Sequence, residues 1–352
     1  MNSIALLCSL AFFTAVTVSA QPTDYYVPAQ GLADGALRTA LHEIIGGHTT
    51  YPYSSGSATD TWEMLTEADR DPENPDNVIL VYSGFSVNGP QQFNEGNGWN
   101  REHAWPRSRG SFSTAAGIGT DMHNLKPCNI EVNNIRGNRF FADCQNCTPV
   151  FTDGVNTECF LDNSNGTFEP RDAVKGDVAR MILYMAVRYE GGGELDMQLT
   201  DQILPEGDNA PLMGRLSDML AWHLADPPDD FELNRHEVIF GYQGNRNPFI
   251  DHPELAEHLW GDLQGETWPV NLHTTAPRSE KPKPRAYPNP AVTEVFLPEE
   301  AADAVMRSVT GSVVLRATQT KRISLESLPA GVYLLEWHGT ESGREVQRLI
   351  KL

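Results

Sequence analysis

Positive charge is what this sequence is shortest of. Its 352 residues carry 26 Lys and Arg against 47 Asp and Glu, a formal net charge of −21 at pH 7. That balance excludes a protein that gathers polyanions by long-range attraction over its whole surface. Cysteine is sparse, at five residues, which excludes a disulfide-dense miniature scaffold. Past residue 18 no apolar run reaches eighteen residues, so no later segment has the signature of a membrane-spanning helix. The one long apolar run, IALLCSLAFFTAVTV at 4–18, has fifteen residues, and no Lys or Arg precedes it. It is too short for a comfortable span and matches the core of a secretory signal. Val18, Ser19 and Ala20 place small residues for cleavage before Gln21. Cys8 sits too early in the run to serve as a lipid anchor. Export through the periplasm to the surface or medium is therefore predicted, with no transmembrane segment after signal removal.

What is present supports a folded chain. Apolar residues make up 40%, with seven Trp, ten Tyr and fourteen Phe, enough for a packed core. The length suggests two domains. A Pro- and charge-rich stretch at 276–285 (APRSEKPKPR) has no apolar periodicity and reads as a linker. The predicted layout is a signal at 1–20, one domain at 21–275, the linker, and a second domain at 286–352.

Charge is unevenly spread. Residues 21–275 hold 15 Lys and Arg against 38 Asp and Glu, a net of −23 (15 − 38). Yet residues 99–139 hold six (Arg101, Arg107, Arg109, Lys126, Arg136, Arg139) against three (Glu102, Asp121, Glu131), a net of +3 (6 − 3). A locally basic window in an acidic chain is what a focused phosphate site needs. A chance cluster of solvated arginines is the plain alternative.

Apolar spacing predicts helices at 32–45 and 176–190, a cap at Asp60 or Thr61 one at 60–69, and the bounds Pro211 and Pro227-Pro228 one at 211–225; 231–244 reads as a further helix. For 176–190, positions 178, 181, 182, 185 and 186 trace one buried face. A buried strand is predicted at 78–82. From 287 onward, strands at 292–297, 312–317, 332–337 and 347–351, separated by turns, predict a small all-β module. Beyond Cys8, four cysteines remain: Cys128, Cys144, Cys147 and Cys159. In an exported chain an even count predicts two disulfides, with the pairing open; Cys144-x-x-Cys147 also has zinc-ligand spacing. His223, His236, His252 and His258 are scattered over helices and read as packed or surface residues.

Within 99–141 the predicted order is strand (99–103), loop, strand (122–125), helix (130–141). Glu102, His103, His123 and several Asn fall inside it. A neutral histidine can deprotonate water near pH 7. Mg²⁺ takes oxygen ligands and keeps several waters, so a carboxylate and an amide oxygen suffice to hold it. Adjacent strand residues point to opposite faces. Glu102 and His103 can share a site only if the strand ends or bulges there, and Pro106 favours that.

These residues resemble the endonuclease I family, nucleases of the His-Me (ββα-metal) finger class. The resemblance rests on WNREHAWPRS (99–108), DMHNLKP (121–127), EVNNIRGN (131–138), KGDVAR (175–180) and NRNPFIDHPE (245–254), in order over most of residues 30–265. It implies an α+β fold: a ββα-metal finger with surrounding helices, followed here by the small all-β C-terminal module. It implies that His103 is the general base and that Glu102 and Asn133 hold one Mg²⁺, with Mn²⁺ or Ca²⁺ as alternatives. His123 would support the site. An arginine would grip the phosphate, with Arg107, Arg109, Arg136 and Arg139 as candidates; Arg107 and Arg109 are taken with His103 and His123 as the catalytic set. The expected activity is hydrolysis of DNA, with RNA as a further substrate, to 5′-phosphate ends, without sequence specificity, by a monomer. A crosslink through Cys128 would hold the metal-bearing helix. The alternatives are a nucleic-acid-binding protein on an inactive scaffold, which the retention of Glu102, His103 and Asn133 argues against, and an RNA-preferring nuclease. The tail resembles the C-terminal sorting domain of type IX secretion, through YPNPA (287–291), LPAGVYLL (328–335) and RLIKL (348–352), which implies the type IX machinery as a partner.

Overall fold

The computed structural model describes residues 22, 24–96, 98–191, 195–270, 286, 291–308, 313–339 and 343–351. The signal at 1–20, the linker at 276–285 and the Tyr287–Pro290 part of the tail motif lie outside the described residues. The chain divides into two compact units, one up to Leu272 and one from His273.

Helix α1 (Asp34–Gly46) buries Leu37, Leu41 and Ile45, one face at four-residue spacing. Helix α2 (Thr61–Ala68) starts at Asp60, whose carboxylate accepts the Trp62 and Glu63 N–H groups. The strand expected at 78–82 is shorter. β1 (Asn77–Ile79) pairs with β2 (Ser86–Asn88), and the chain then turns: the Val81 N–H leaves this sheet and donates to the Pro127 carbonyl.

β3 (Trp99–His103) pairs antiparallel with β4 (Leu125–Asn129), Glu102 opposite Lys126. The second strand thus lies later than 122–125. Residues Met122–Asn124 form a single 3-10 turn instead, because the Asp121 side chain caps the His123 N–H. Helix α3 (Ile130–Arg136) follows at once. It is shorter than the expected 130–141, since Gly137 takes φ 56°, a conformation that suits glycine and stops the helix. Phe140 and Phe141 then form β5, which runs parallel to β8 (Thr167–Glu169). With β6 (Thr148–Thr152) and β7 (Val155–Asp162) they make a four-stranded sheet in the order β5-β8-β7-β6.

Helix α4 (Lys175–Arg188) is buried all round from Gly176 to Arg188, not on one face. Its charged residues are tolerated because they are paired. The Arg180 Nε donates to Glu232 at 2.8 Å, and Lys126 reaches Asp177 at 3.3 Å. Helix α5 (Leu216–Ala225) begins five residues later than Pro211, since Gly214 at φ 80° breaks the turn before it. Helix α6 (Asp230–Gln243) is capped by Asp229 and stopped by left-handed Gly244. Short helices α7 (Pro248–Asp251) and α8 (Leu255–Trp260) close the unit.

Only one disulfide forms among the described residues, Cys144–Cys147, where two were expected; Cys128 and Cys159 are free and buried. Cys128 lies in β4 and Cys159 in β7, where the Cys159 thiol donates to the Tyr82 carbonyl at 3.2 Å. No crosslink therefore ties Cys128 to α3's neighbours. The disulfide also takes the thiolates that a four-cysteine zinc site would need. No helix among the described residues is long and apolar enough to cross a membrane.

The C-terminal unit is an antiparallel sheet in the order β10-β9-β11-β12. Its strands are β9 (Glu294–Ser308), β10 (Val313–Ser324), β11 (Gly331–Gly339) and β12 (Gly343–Lys351). Its core holds Val295, Leu297, Met306, Leu335, Trp337 and Leu349.

Candidate active site

β3 ends at His103, and the Ala104 N–H then bonds the Asn124 carbonyl at 2.9 Å. The end of the strand relaxes the alternation that would send Glu102 and His103 to opposite faces. Both line one pocket of about 430 Å³, with Tyr53, Asn100, Arg101, Arg107, Asn133, Arg136, Asn138 and Glu206 among the other wall residues.

Glu102 is buried. Its Oε1 accepts the Tyr82 hydroxyl at 2.7 Å and faces the Arg136 guanidinium at 3.1 Å. Burial raises its carboxyl above the usual value, while Arg136 and Tyr82 pull it back down. Both contacts use Oε1, which leaves Oε2 for another ligand. Asn133 comes from α3. Its amide nitrogen donates to the Arg101 carbonyl at 3.3 Å, which leaves Oδ1 as its acceptor. A carboxylate oxygen and an amide oxygen on one wall form the donor set of a hard divalent cation. The residues present fit Mg²⁺.

The His103 Nε2 lies 3.0 Å from the Gly119 carbonyl. A carbonyl only accepts, so Nε2 carries the proton and Nδ1 keeps its lone pair. Burial pushes the imidazole down to about 4; the Gly119 bond opposes this, and the charges of Arg107, Arg101 and Arg136 add to it. The ring is neutral at pH 7, the form a base requires. Tyr53 stacks on it, 5.8 Å between centroids and 19° between planes.

Three guanidiniums reach this wall. Arg136 ties it together, donating to the His103 carbonyl at 3.0 Å and also to the Ala104 carbonyl. Arg107 is exposed and makes no ion pair among the described residues. Arg101 packs over the Tyr53 ring at 3.3 Å and the Trp62 ring at 3.9 Å, and donates to the Thr61 hydroxyl at 2.9 Å. Burial lowers it to about 10, so it remains a cation at neutral pH.

Two expected residues lie elsewhere. Arg109 is fully buried. Its Nε donates to the Asn138 carbonyl at 2.8 Å and its Nη2 to the Pro205 carbonyl at 3.3 Å. A turn, with the Arg109 N–H on the Pro106 carbonyl at 3.0 Å, reverses the chain after Arg107 and points Arg109 inward. His123 is buried in the turn before β4. Its ring lies 4.5 Å from that of Tyr184, and its Nε2 is 3.4 Å from the Asn245 carbonyl. It belongs to a buried polar cluster around Asp121, off the pocket wall. Arg139, the remaining phosphate candidate, pairs with Glu206 at 3.2 Å. Sequence reasoning missed Tyr53, Tyr82 and Glu206, which are distant in the chain and carry no local signal. Arg101 was inside the basic window and could have been found there.

The endonuclease I family model matches residues 34–254. An extracellular ribonuclease of Bacillus amyloliquefaciens is 46% identical over 247 residues, covering 70% of this chain and 81% of the relative. An extracellular ribonuclease of Bacillus subtilis (strain 168) is 44% identical over 261 residues, 72% of this chain and 84% of the relative. An extracellular deoxyribonuclease of Aeromonas hydrophila is 33% identical over 132 residues, 37% of this chain and 49% of the relative. The match runs through all five sequence segments and spans every residue of the pocket wall, from Tyr53 to Glu206: this chain belongs to the endonuclease I family.

Proposed function

We propose that the protein is a secreted, metal-dependent endonuclease that hydrolyses phosphodiester bonds in nucleic acid without sequence specificity. The β3-β4-α3 unit acts as its ββα-metal finger. The observation that carries this reading is the meeting of Glu102, His103, Asn133 and three guanidiniums on one pocket wall. Glu102 and Asn133 would hold Mg²⁺, with Mn²⁺ or Ca²⁺ as substitutes. When bound, the ion supplies positive charge to the phosphate and to the departing oxygen.

His103 takes a proton from water at Nδ1, and the Gly119 carbonyl holds the ring and steadies the cation that forms. An anionic phosphate beside it raises its basicity toward the working range. Arg107 is free to grip a phosphate oxygen, and Arg101 and Arg136 add to the local potential. The water oxygen bonds to phosphorus, the bond to the 3′ oxygen breaks with its electron pair, and a proton from solvent completes the 3′ hydroxyl, leaving 5′-phosphate and 3′-hydroxyl ends. Contacts made mainly to phosphates give low sequence specificity. Relatives named for ribonuclease and for deoxyribonuclease activity make both RNA and DNA substrates to test. The C-terminal sheet serves as an export address for the type IX machinery.

The test is digestion of single- and double-stranded DNA and RNA under a Mg²⁺ titration, beside EDTA and a His103→Ala control. Cleavage by the wild type alone, and only with metal, is the expected result. Equal cleavage in all arms, or none in any, would remove the proposal; binding without cleavage would point to an inactive scaffold.

A further inference from the structure

Trp62 stands between two pockets. On one side its ring carries the guanidinium of Arg101, a residue of the active-site wall. It also lines a second pocket of about 460 Å³ with Pro90, Gln91, Gln92, Phe93 and Asn94. The two walls differ in chemistry. The first holds Arg101, Arg107, Arg136, Glu102 and Glu206; the second holds no charged residue, only rings, a proline and three side-chain amides. A phosphate has no partner in the second. A nucleobase does: its face stacks on an aromatic ring, and its edge pairs with the donor and acceptor of a carboxamide.

The loop that carries Phe93 is tied by its backbone. The Phe93 carbonyl accepts the Gly96 N–H at 2.8 Å and the Gly98 N–H at 3.3 Å, and the Gly89 N–H bonds the Asp76 carbonyl at 2.9 Å. Yet the Phe93 side chain remains 49% exposed. An aromatic ring held at the surface beside side-chain amides, one residue away from a phosphate-type wall, has the makings of a stacking platform.

We propose that the Trp62–Phe93 pocket binds an unpaired nucleobase of the strand whose phosphate occupies the Arg101 pocket. The inference rests on the nuclease reading above and adds its base contact. The base must be unpaired, because a duplex hides the faces and the pairing edges that this wall would touch.

The test is binding rather than cleavage. The full chain carrying His103→Ala, in EDTA, is titrated into a labelled single-stranded DNA of about ten nucleotides and into an abasic strand of equal length. Fluorescence anisotropy reads the affinity. The base-bearing strand should bind about 5- to 100-fold more tightly than the abasic one. Adding Phe93→Ala should bring that ratio close to one while the abasic affinity is kept. Gln91→Ala, an exposed change, should reduce the ratio partway. A ratio near one in the parent, no binding of either strand, or a ratio untouched by Phe93→Ala would each overturn the subsite. Wild-type cleavage is scored separately, so the nuclease reading stands or falls without it.

Discussion

His103 and His123 have similar sequence settings and opposite structural ones. Each has an acid close before it and an Asn or Pro soon after. His103 ends a strand on a pocket wall, with one nitrogen bonded to the Gly119 carbonyl and the other left as an acceptor. His123 sits in the closed cluster around Asp121. There Oδ2 accepts the Tyr184 and Tyr189 hydroxyls at 2.9 and 3.0 Å, and Oδ1 accepts the His123 N–H at 3.0 Å and Gln243 at 3.1 Å. Burial depresses both imidazoles, to about 4 and about 3. Basicity alone therefore does not separate the proposed base, His103, from a histidine closed into the interior. Spare bonding capacity does: Asp121 has spent both oxygens on the fold, whereas Glu102 has committed only one.

The largest expected effect breaks or upholds that division directly. His103→Ala should slow hydrolysis by about 10²- to 10⁴-fold with the melting temperature nearly unchanged. His123→Ala should do the reverse, lowering stability by about 1–3 kcal/mol while the rate per folded molecule is kept. Paired rate and thermal-unfolding measurements decide it; a His123→Ala chain that is fully stable but inactive would end the comparison.

Next comes the cluster's acid. Burial raises the Asp121 carboxyl, but His48 and His123 nearby, and then the bonds from Gln243 and the His123 N–H, outweigh it and hold the group down to about 2, from an ordinary value of 3.8. A folded-state value below the unfolded one contributes stability above pH 3.8, which is lost as pH falls through about 2. The size is about 2 kcal/mol. Urea unfolding of the wild type and Asp121→Asn between pH 5 and pH 2 should show a gap that closes on acidification. A gap that widens would contradict the depressed value.

Tyr82→Phe probes the pocket side more gently. It removes the hydroxyl that orients Glu102, and the Mg²⁺ concentration for half-maximal activity should rise about tenfold. An unchanged metal requirement would show that this bond does not position the carboxylate. The smallest effect concerns the disulfide. Cys144–Cys147 closes a loop of only three residues' separation and lies off the pocket wall, so reductant should leave activity unaltered. Loss of activity would mean that the loop at 144–147 holds the site after all.

Much of the candidate site was legible because its parts are local. Glu102, His103 and Asn133 lie in two short segments, and Pro106 signalled the strand's end. Helix α1 followed from apolar spacing and α2 from its cap, since those signals act over four residues or fewer. Boundaries failed where one residue with a special backbone intervened, as at Gly137 and Gly214. The one-faced reading of α4 failed because Glu232 and Lys126, far away in sequence, neutralise its polar side.

By itself the sequence determined the chemistry on offer: an acid, a base and an amide at short spacing, inside a basic window of an acidic chain. Tertiary structure alone decided which groups meet. It turned Arg107 outward and Arg109 inward, brought Tyr53 and Glu206 to the wall and Tyr82 behind Glu102, and closed His123 into the interior. The reason is reach. Local propensity sets a backbone over a few residues, but where a side chain ends up depends on what the distant chain packs against it.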